Sequence, residues 1–147
     1  MILGLGIDIV ETGRIKRLLD KECFLKKAFH SLELEESFKK KASAHLSLAA
    51  RWACKEALGK ALGIGLKGMR LNDIAVLNCP CEKPEIRLFG SALEAVRRRG
   101  VSHIHVSLTH EKKTAAAVVI LEKTETPCGT PALYGACEKA AEGLTGA

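Results

Sequence analysis

Residues 2–10, ILGLGIDIV, form an apolar, β-branched run broken by one acid, a pattern that predicts a buried strand. Residues 12–29 follow with helical spacing. Thr12 stands as the N-cap, Ile15, Leu18 and Leu19 make one apolar stripe, and the pattern breaks near Asp20. The other side of this segment carries Arg14, Lys16, Arg17, Lys21, Lys26 and Lys27. Ser31 is placed to cap a short charged helix, SLELEESFKKK. The longest helix is predicted from about Ala42 to Leu62, ended by Gly63 and Gly65.

The period then changes. DIAVLN and EIRLF read as strands joined by a turn through Pro80 and Pro84. SALEAVRRRG reads as a helix, with Ser91 near its start and Gly100 as its stop. SHIHVSLT and TAAAVVILE are the last two strands, with HEKK as the hairpin loop. Alternation sets His103, His105, Ser107 and Thr109 on one face of the first of these, and Ile104, Val106 and Leu108 on the other. After Lys123 the composition turns to Thr, Pro, Gly and Ala, which marks residues 123–147 as an extension beyond a single domain of residues 1–122.

Composition sharpens this picture. A chain of 147 residues that is 47% hydrophobic but 4% aromatic should build its core from Leu, Ile, Val and Ala. Lys and Arg number 23 against 17 acids, a formal +6 that suits an anionic partner or simple solubility. The start, MILGLGIDIV, lacks a basic region and carries Asp8, so it does not read as a signal peptide. No stretch reaches the length of a membrane span. The six cysteines are therefore expected as reduced thiols in a cytoplasmic protein, and Cys79-Pro-Cys81 lacks the spacing of a zinc framework.

Three groups of residues could carry chemistry. A carboxylate at Asp8 inside an apolar strand is costly to bury unpaired, unless it caps a helix or lies at the strand's exposed end. Glu56 and Lys60 are four apart on the long helix and share a face, as a surface ion pair also would. Arg51 and Lys55 add positive charge, and the helix runs into GIGLKG, whose glycines let backbone approach an anion. This is not a P-loop, because Met69 stands where lysine is required. The His- and hydroxyl-bearing face of HIHVSLTH suits phosphate, a metal with a third ligand from elsewhere, or plain solvent.

Taken together, GLGIDIVE, RWACKEALGKALG and HVSLTH resemble the holo-acyl-carrier-protein synthases, the short, single-domain class of 4′-phosphopantetheinyl transferases. The family pattern G-[IV]-D, then [FW]-[SCTA]-x-K-E-[SA]-x-x-K, is met by Gly6-Ile7-Asp8 and by Trp52 through Lys60. The resemblance covers roughly residues 1–122. Thr114 lies where relatives commonly carry an aromatic residue, His110 occupies a position that is His or Asp among them, and the extension has no counterpart in the usual short members.

The resemblance implies an α+β fold in which a long helix packs on a small antiparallel sheet, assembled as a homotrimer with active sites between subunits. It implies transfer of the phosphopantetheine arm of coenzyme A to a serine of apo-acyl carrier protein, releasing adenosine 3′,5′-bisphosphate, in support of fatty acid biosynthesis. Asp8 and Glu56 would hold Mg2+ on the pyrophosphate, Glu56 would take the serine proton, and Lys60 would hold the phosphates and stabilise the leaving group. Arg51, Gly63 and Gly65, with His105, Ser107, Thr109 and His110, would line the nucleotide pocket. Arg14, Arg17 and Lys21 would form a docking face for the acidic carrier protein.

Two other classes fit less well. A nucleic-acid-binding domain would use the charge, but one Trp, one Tyr and no recognised module offer little to read bases, and it leaves Asp8 unexplained. A metal-dependent phosphohydrolase would use the same carboxylates with water as nucleophile.

Overall fold

The computed structural model describes residues 1–125; the expected extension lies almost wholly outside them. The chain begins with strand β1 (Ile2–Glu11), followed by three short helices, α1 (Thr12–Lys16), α2 (Glu22–Ala28) and α3 (Ser31–Phe38). The long helix α4 (Ala44–Leu62) comes next, then the hairpin β2 (Ile74–Asn78) and β3 (Pro84–Leu88). Helix α5 (Gly90–Arg98) and the hairpin β4 (His103–His110) and β5 (Thr114–Glu122) complete the order. This is the α+β architecture expected, with α4 laid across a three-stranded antiparallel sheet of order β1-β5-β4 and a separate β2-β3 sheet at the side.

Two glycines set how closely α4 lies on the sheet. Gly4 and Gly6 turn toward the helix, and a Cβ on either would overlap the backbone carbonyl of Ala61 or Ala57. The strand backbone therefore rests directly on the helix backbone. Small residues on the helix, Ala53, Ala57 and Ala61, complete that contact, and all are buried. Around it Val10, Leu48, Leu58, Val119 and Leu121 close a core that is aliphatic, as the composition requires. Gly63 ends α4 in the left-handed region at φ 74°, where only glycine is free of strain.

The structure corrects several local expectations. β1 is not buried on both faces: alternate residues Leu5, Ile7 and Ile9 are 60%, 62% and 68% exposed, because α4 covers one side of the sheet only. The helical segment after β1 is two helices, α1 and α2, separated by a turn at residues 17–20. Thr12 is the first helical residue rather than the cap. Its N–H and its hydroxyl instead donate to the carbonyls of Lys113 and Lys112, both at 2.9 Å, pinning α1 to the β4–β5 loop. Helix α3 is capped by His30, not Ser31: His30 Nδ1 accepts from Leu32 N while Glu33 accepts from the His30 N–H, a reciprocal pair. Cys79 and Cys81 are joined by a disulfide across the β2–β3 turn, so the expectation of reduced thiols throughout fails there, while Cys23 and Cys54 are free. Among the described residues, no helix is long and apolar enough to cross a membrane.

Candidate functional site

The charged residues of α4 divide between two sides of the helix. Arg51 and Lys55 turn toward α3 and β2; Glu56 and Lys60 turn toward β1. One residue advances a helix by about 100°, so the adjacent Lys55 and Glu56 cannot share an environment.

On the β1 side, the close approach allowed by Gly4 and Gly6 delivers Asp8 to the helix. Lys60 Nζ donates to Asp8 Oδ1 at 2.7 Å and to the Ile7 carbonyl at 3.0 Å. The second oxygen, Asp8 Oδ2, is buried and has no hydrogen-bond partner. Glu56 lies beside it. Burial first, and then the neighbouring Asp8 carboxylate, raises the Glu56 carboxyl above the usual carboxylate range, against a smaller opposing effect of the Lys60 charge. Lys60 is raised above its ordinary value chiefly by its hydrogen bond to Asp8. Two carboxylates, a lysine and an unsatisfied buried oxygen thus converge at the strand–helix contact, and an unpaired acceptor of that kind is costly to leave empty-handed. Among the described residues no cluster of three or more His, Cys, Asp or Glu forms a complete protein-only metal cage. A divalent ion here would draw two carboxylates from the chain and its other ligands from substrate and water, as Mg2+ does.

On the opposite side, Lys55 is fully buried with each of its three donors satisfied: Glu33 Oε2 at 2.6 Å, the Ala28 carbonyl at 2.7 Å and the Leu71 carbonyl at 2.9 Å. Burial pulls its ammonium below the usual lysine range, against the opposing attraction of Glu33. The fully buried Glu33 also accepts from the N–H groups of His30 and Val76. Arg51, only 3% exposed, donates to the Val76 carbonyl at 2.8 Å, to Ser47 and to Glu36 Oε1 at 2.9 Å. The guanidinium, expected from the sequence at the nucleotide, is turned inward here and ties α3 and β2 onto α4. Cys54 is buried, and burial pushes its thiol far up, which makes it no nucleophile.

The other predicted residues are distributed unevenly. Gly63 and Gly65 follow Lys60 at the helix end with φ of 74° and 60°, their would-be Cβ positions in open space. His105, Ser107 and Thr109 are exposed on β4, but pair across β5 with Ile120, Val118 and Ala116. That is the sheet face away from α4, shared with Leu5, Ile7 and Ile9 of β1. Within one chain they cannot reach Asp8. His105 instead meets Glu122, Nε2 to Oε2 at 2.7 Å, which holds the Glu122 carboxyl below its usual range. His110 ends β4 and is exposed. Arg14, Arg17 and Lys21 are all exposed, yet α1 stops at Lys16 and α2 starts at Glu22, so the three do not line one continuous helix. A cleft of about 750 Å³ opens at the far end of α4, lined by residues that include Glu11, Lys16, His45, Lys112 and Lys113.

Four contributors were not singled out from the sequence. Glu33 sits in a string of charges that reads as solvated surface. Trp52 entered only as a motif letter. Gly4 and Gly6 did carry a signal, since paired glycines inside a strand mark close backbone approach.

Comparison with known proteins gives a consistent result. Residues 4–119 match the model of the 4′-phosphopantetheinyl transferase superfamily. The chain is 54% identical over 122 residues to a holo-[acyl-carrier-protein] synthase of Treponema denticola, covering 83% of this chain and 99% of the relative. A Syntrophus aciditrophicus protein of the same name is 44% identical over 125 residues, covering 83% and 97%. The crystal structure of the Neisseria meningitidis holo-[acyl-carrier-protein] synthase superposes with a TM-score of 0.76 at 32% identity, over 84% of this chain and 100% of that one. The Bacillus anthracis enzyme, solved in complex with CoA (3′,5′-ADP), gives 0.71 at 34% identity, over 84% and 99%.

Proposed function

The chain belongs to the 4′-phosphopantetheinyl transferase superfamily, and we propose that it is a holo-acyl-carrier-protein synthase, moving 4′-phosphopantetheine from coenzyme A to a serine hydroxyl of an acidic apo-acyl carrier protein. The observation that carries the reading is the meeting of Asp8 from β1 with Glu56 and Lys60 from α4, with one Asp8 oxygen left without a partner. The activity printed for relatives and the CoA in a related crystal structure support it.

The donor set fits Mg2+, a hard ion that takes few carboxylates and keeps substrate oxygens and water. Asp8 and Glu56 would hold it, and when bound it supplies positive charge against the pyrophosphate at the attacked phosphorus. The chain's own residues do the rest. Lys60, with its side chain half exposed beside Asp8, presents an ammonium to the phosphates and stabilises the charge on the departing 3′,5′-bisphosphate. Glu56, whose carboxyl burial raises above the usual carboxylate range, accepts the serine proton. The Gly63 and Gly65 backbone, free of side chains at the helix end, lets the nucleotide pass closely.

The site is completed by assembly in this reading. Leu5, Ile7 and Ile9 form an apolar strip beside the polar His105, Ser107 and Thr109 on one exposed sheet face. Burying that strip in a homotrimer removes it from water and brings the polar row, with His110, to a neighbour's nucleotide. Arg14, Arg17 and Lys21 give the carrier protein a basic approach surface around the α1–α2 turn. The enzyme would act in the cytoplasm and serve fatty acid biosynthesis.

The test is direct: incubate the protein with coenzyme A, Mg2+ and an apo carrier protein, and weigh the carrier. A gain of one phosphopantetheine, lost in Asp8→Ala and on chelation of Mg2+, is expected. An unchanged carrier mass, or phosphate release from coenzyme A without transfer, would reject the assignment.

A further inference from the structure

The hairpin of β2 and β3 turns through CPCEK, residues 79–83. The last ladder pair is Asn78 with Pro84, so these residues lie beyond the sheet. Backbone alone closes them: the Glu82 N–H donates to the Cys79 carbonyl at 2.8 Å, and the Cys79 N–H donates to the Lys83 carbonyl at 2.9 Å. Pro80 takes the second place of this β-turn, which its fixed φ suits, and Glu82 follows in the left-handed region at φ 63°. The turn leaves the Cα atoms of Cys79 and Cys81 5.3 Å apart, within reach of a disulfide, and their sulfurs are joined. Cys81 is exposed and Cys79 half-buried. Cys23 and Cys54 are free thiols in the same structure, so the bond is a property of this turn.

The fold has little use for it. A disulfide stabilises a protein mainly by closing a loop of the unfolded chain, and the gain shrinks with the loop. Two cysteines separated by 2 in sequence close almost nothing. The end of the hairpin is held without sulfur: the Asn78 N–H donates to Glu36, which is paired with Arg51 of α4 at 2.9 Å. Folding and oxidation are linked equilibria, so a bond that adds little to the fold gains little protection from it. This one lacks the resistance to reduction of a long-loop disulfide, and Cys81 lies open to an attacking thiolate.

We propose that Cys79-Pro-Cys81 is a reversible thiol–disulfide site, opened by small thiols while the protein stays folded. A thiolate attacks Cys81 Sγ and forms a mixed disulfide there, and Cys79 leaves as a thiolate that takes a proton from water. A second thiolate attacks the small-thiol sulfur of that mixed disulfide. Cys81 leaves and is protonated in turn. Two small thiols have then become one small disulfide, and their two electrons have passed to the protein pair. The reverse sequence closes the ring again when the small disulfide is in excess. The ladder and the Glu36–Arg51 pair lie outside the ring and stay in place.

The experiment equilibrates the protein with mixtures of reduced and oxidised glutathione. Open thiols are blocked with iodoacetamide, the remainder are reduced and blocked with N-ethylmaleimide, and the proteolytic fragment that carries both cysteines is weighed. The pair should pass from disulfide to dithiol and back as the mixture is varied, with the far-UV circular dichroism unchanged. The same equilibrium constant measured in urea should agree with the native value within about twentyfold, the closure entropy of so short a loop. A loop of about fifteen residues would give roughly a hundredfold or more. A ratio above about twentyfold, a pair that opens only once urea is added, or a pair that stays dithiol under excess oxidised glutathione would each overturn the proposal. In Cys79→Ser the lone Cys81 should gain one glutathione. No gain there would show its sulfur to be closed to thiols, and would overturn the proposal as well.

Discussion

Lys60 Nζ sits 2.7 Å from Asp8 Oδ1, a contact between a helix and a strand 52 residues apart in sequence. It satisfies one oxygen of the carboxylate and leaves the other, Asp8 Oδ2, buried without a partner. The local charge is thus unbalanced by design of the packing: Glu56 adds a second negative group beside the first, and Lys60 alone answers both.

That imbalance gives Glu56 a signature in pH. Its carboxyl is raised in the folded state, mainly by burial and then by Asp8, so the native protein binds this proton more tightly than the unfolded chain. The associated stability is present below the unfolded pKa and is lost as pH rises through the folded pKa. Glu56→Gln should therefore raise Tm at neutral pH in the absence of Mg2+, and the gain should vanish at low pH. Solvent screening keeps the effect below about 1 kcal/mol. Adding Mg2+ should raise the Tm of the unmodified protein and not that of Glu56→Gln. Thermal melts at several pH values, with and without Mg2+, check both statements.

Lys55 should behave differently from its neighbour. It is enclosed by Glu33 and two carbonyls, with the Phe29 ring centroid 5.1 Å from its Nζ. Lys55→Met would strand the Glu33 carboxylate in the interior, and breaking a buried pair from one side typically costs about 3–5 kcal/mol. Urea denaturation should show a loss of that order. A variant with Glu33→Gln as well should recover part of it, because the remaining amide oxygen can still accept from the His30 or Val76 N–H. A loss under about 1 kcal/mol for Lys55→Met alone would contradict the pairing.

Gly6 and Gly63 predict opposite kinds of damage. A methyl group at Gly6 collides with the Ala57 carbonyl, so Gly6→Ala must push β1 off α4 and carry Asp8 away from Glu56 and Lys60. Both stability and transfer should fall sharply, and overpacking of this kind costs about 1–3 kcal/mol or more. At Gly63 the space is open and only the left-handed backbone objects. Gly63→Ala should cost only about 1 kcal/mol, and its effect on transfer should appear as a raised KM for coenzyme A, whose nucleotide passes this backbone. Paired denaturation and turnover measurements distinguish the two.

The exposed sheet face should respond to charge. Ile7 points away from α4, is 62% exposed and pairs with Val118 across the sheet. Ile7→Glu should leave the single-chain fold intact and convert an oligomer to monomers, seen by light scattering. Because His105 and Asp8 lie on opposite faces, mixing Asp8→Ala with His105→Ala chains should restore part of the activity through hybrid sites. A fully active monomer, or no recovery on mixing, would count against shared sites.

Local pattern carried the reading a long way. The glycines after Leu62 ended α4, the alternation in HIHVSLTH separated its polar and apolar faces, and the motifs around Asp8, Glu56 and Lys60 named the residues that now stand together. Each of these is a short-range property: backbone conformation, side-chain period and residue identity are written along the chain.

What lies opposite a given face is not. Helical spacing joined Arg51 to Lys55 and Glu56 to Lys60, but gave no means of telling which pair would be buried against α3 and which would meet β1. Glu33 belongs to a run of acids that has the look of a solvated helix, and it became interior only because Lys55 arrived there from 22 residues away. Thr12 and Ser31 have cap-forming side chains, yet a carbonyl from the β4–β5 loop engaged one and His30 displaced the other. The strand β1 is the clearest case. Its continuous apolar run reads as doubly buried, while one α4 can cover only one side of a three-stranded sheet, leaving Leu5, Ile7 and Ile9 in water. Hydrophobicity records that a residue should leave water; only the arrangement of other surfaces, in this chain or in a second copy of it, decides what takes the water's place.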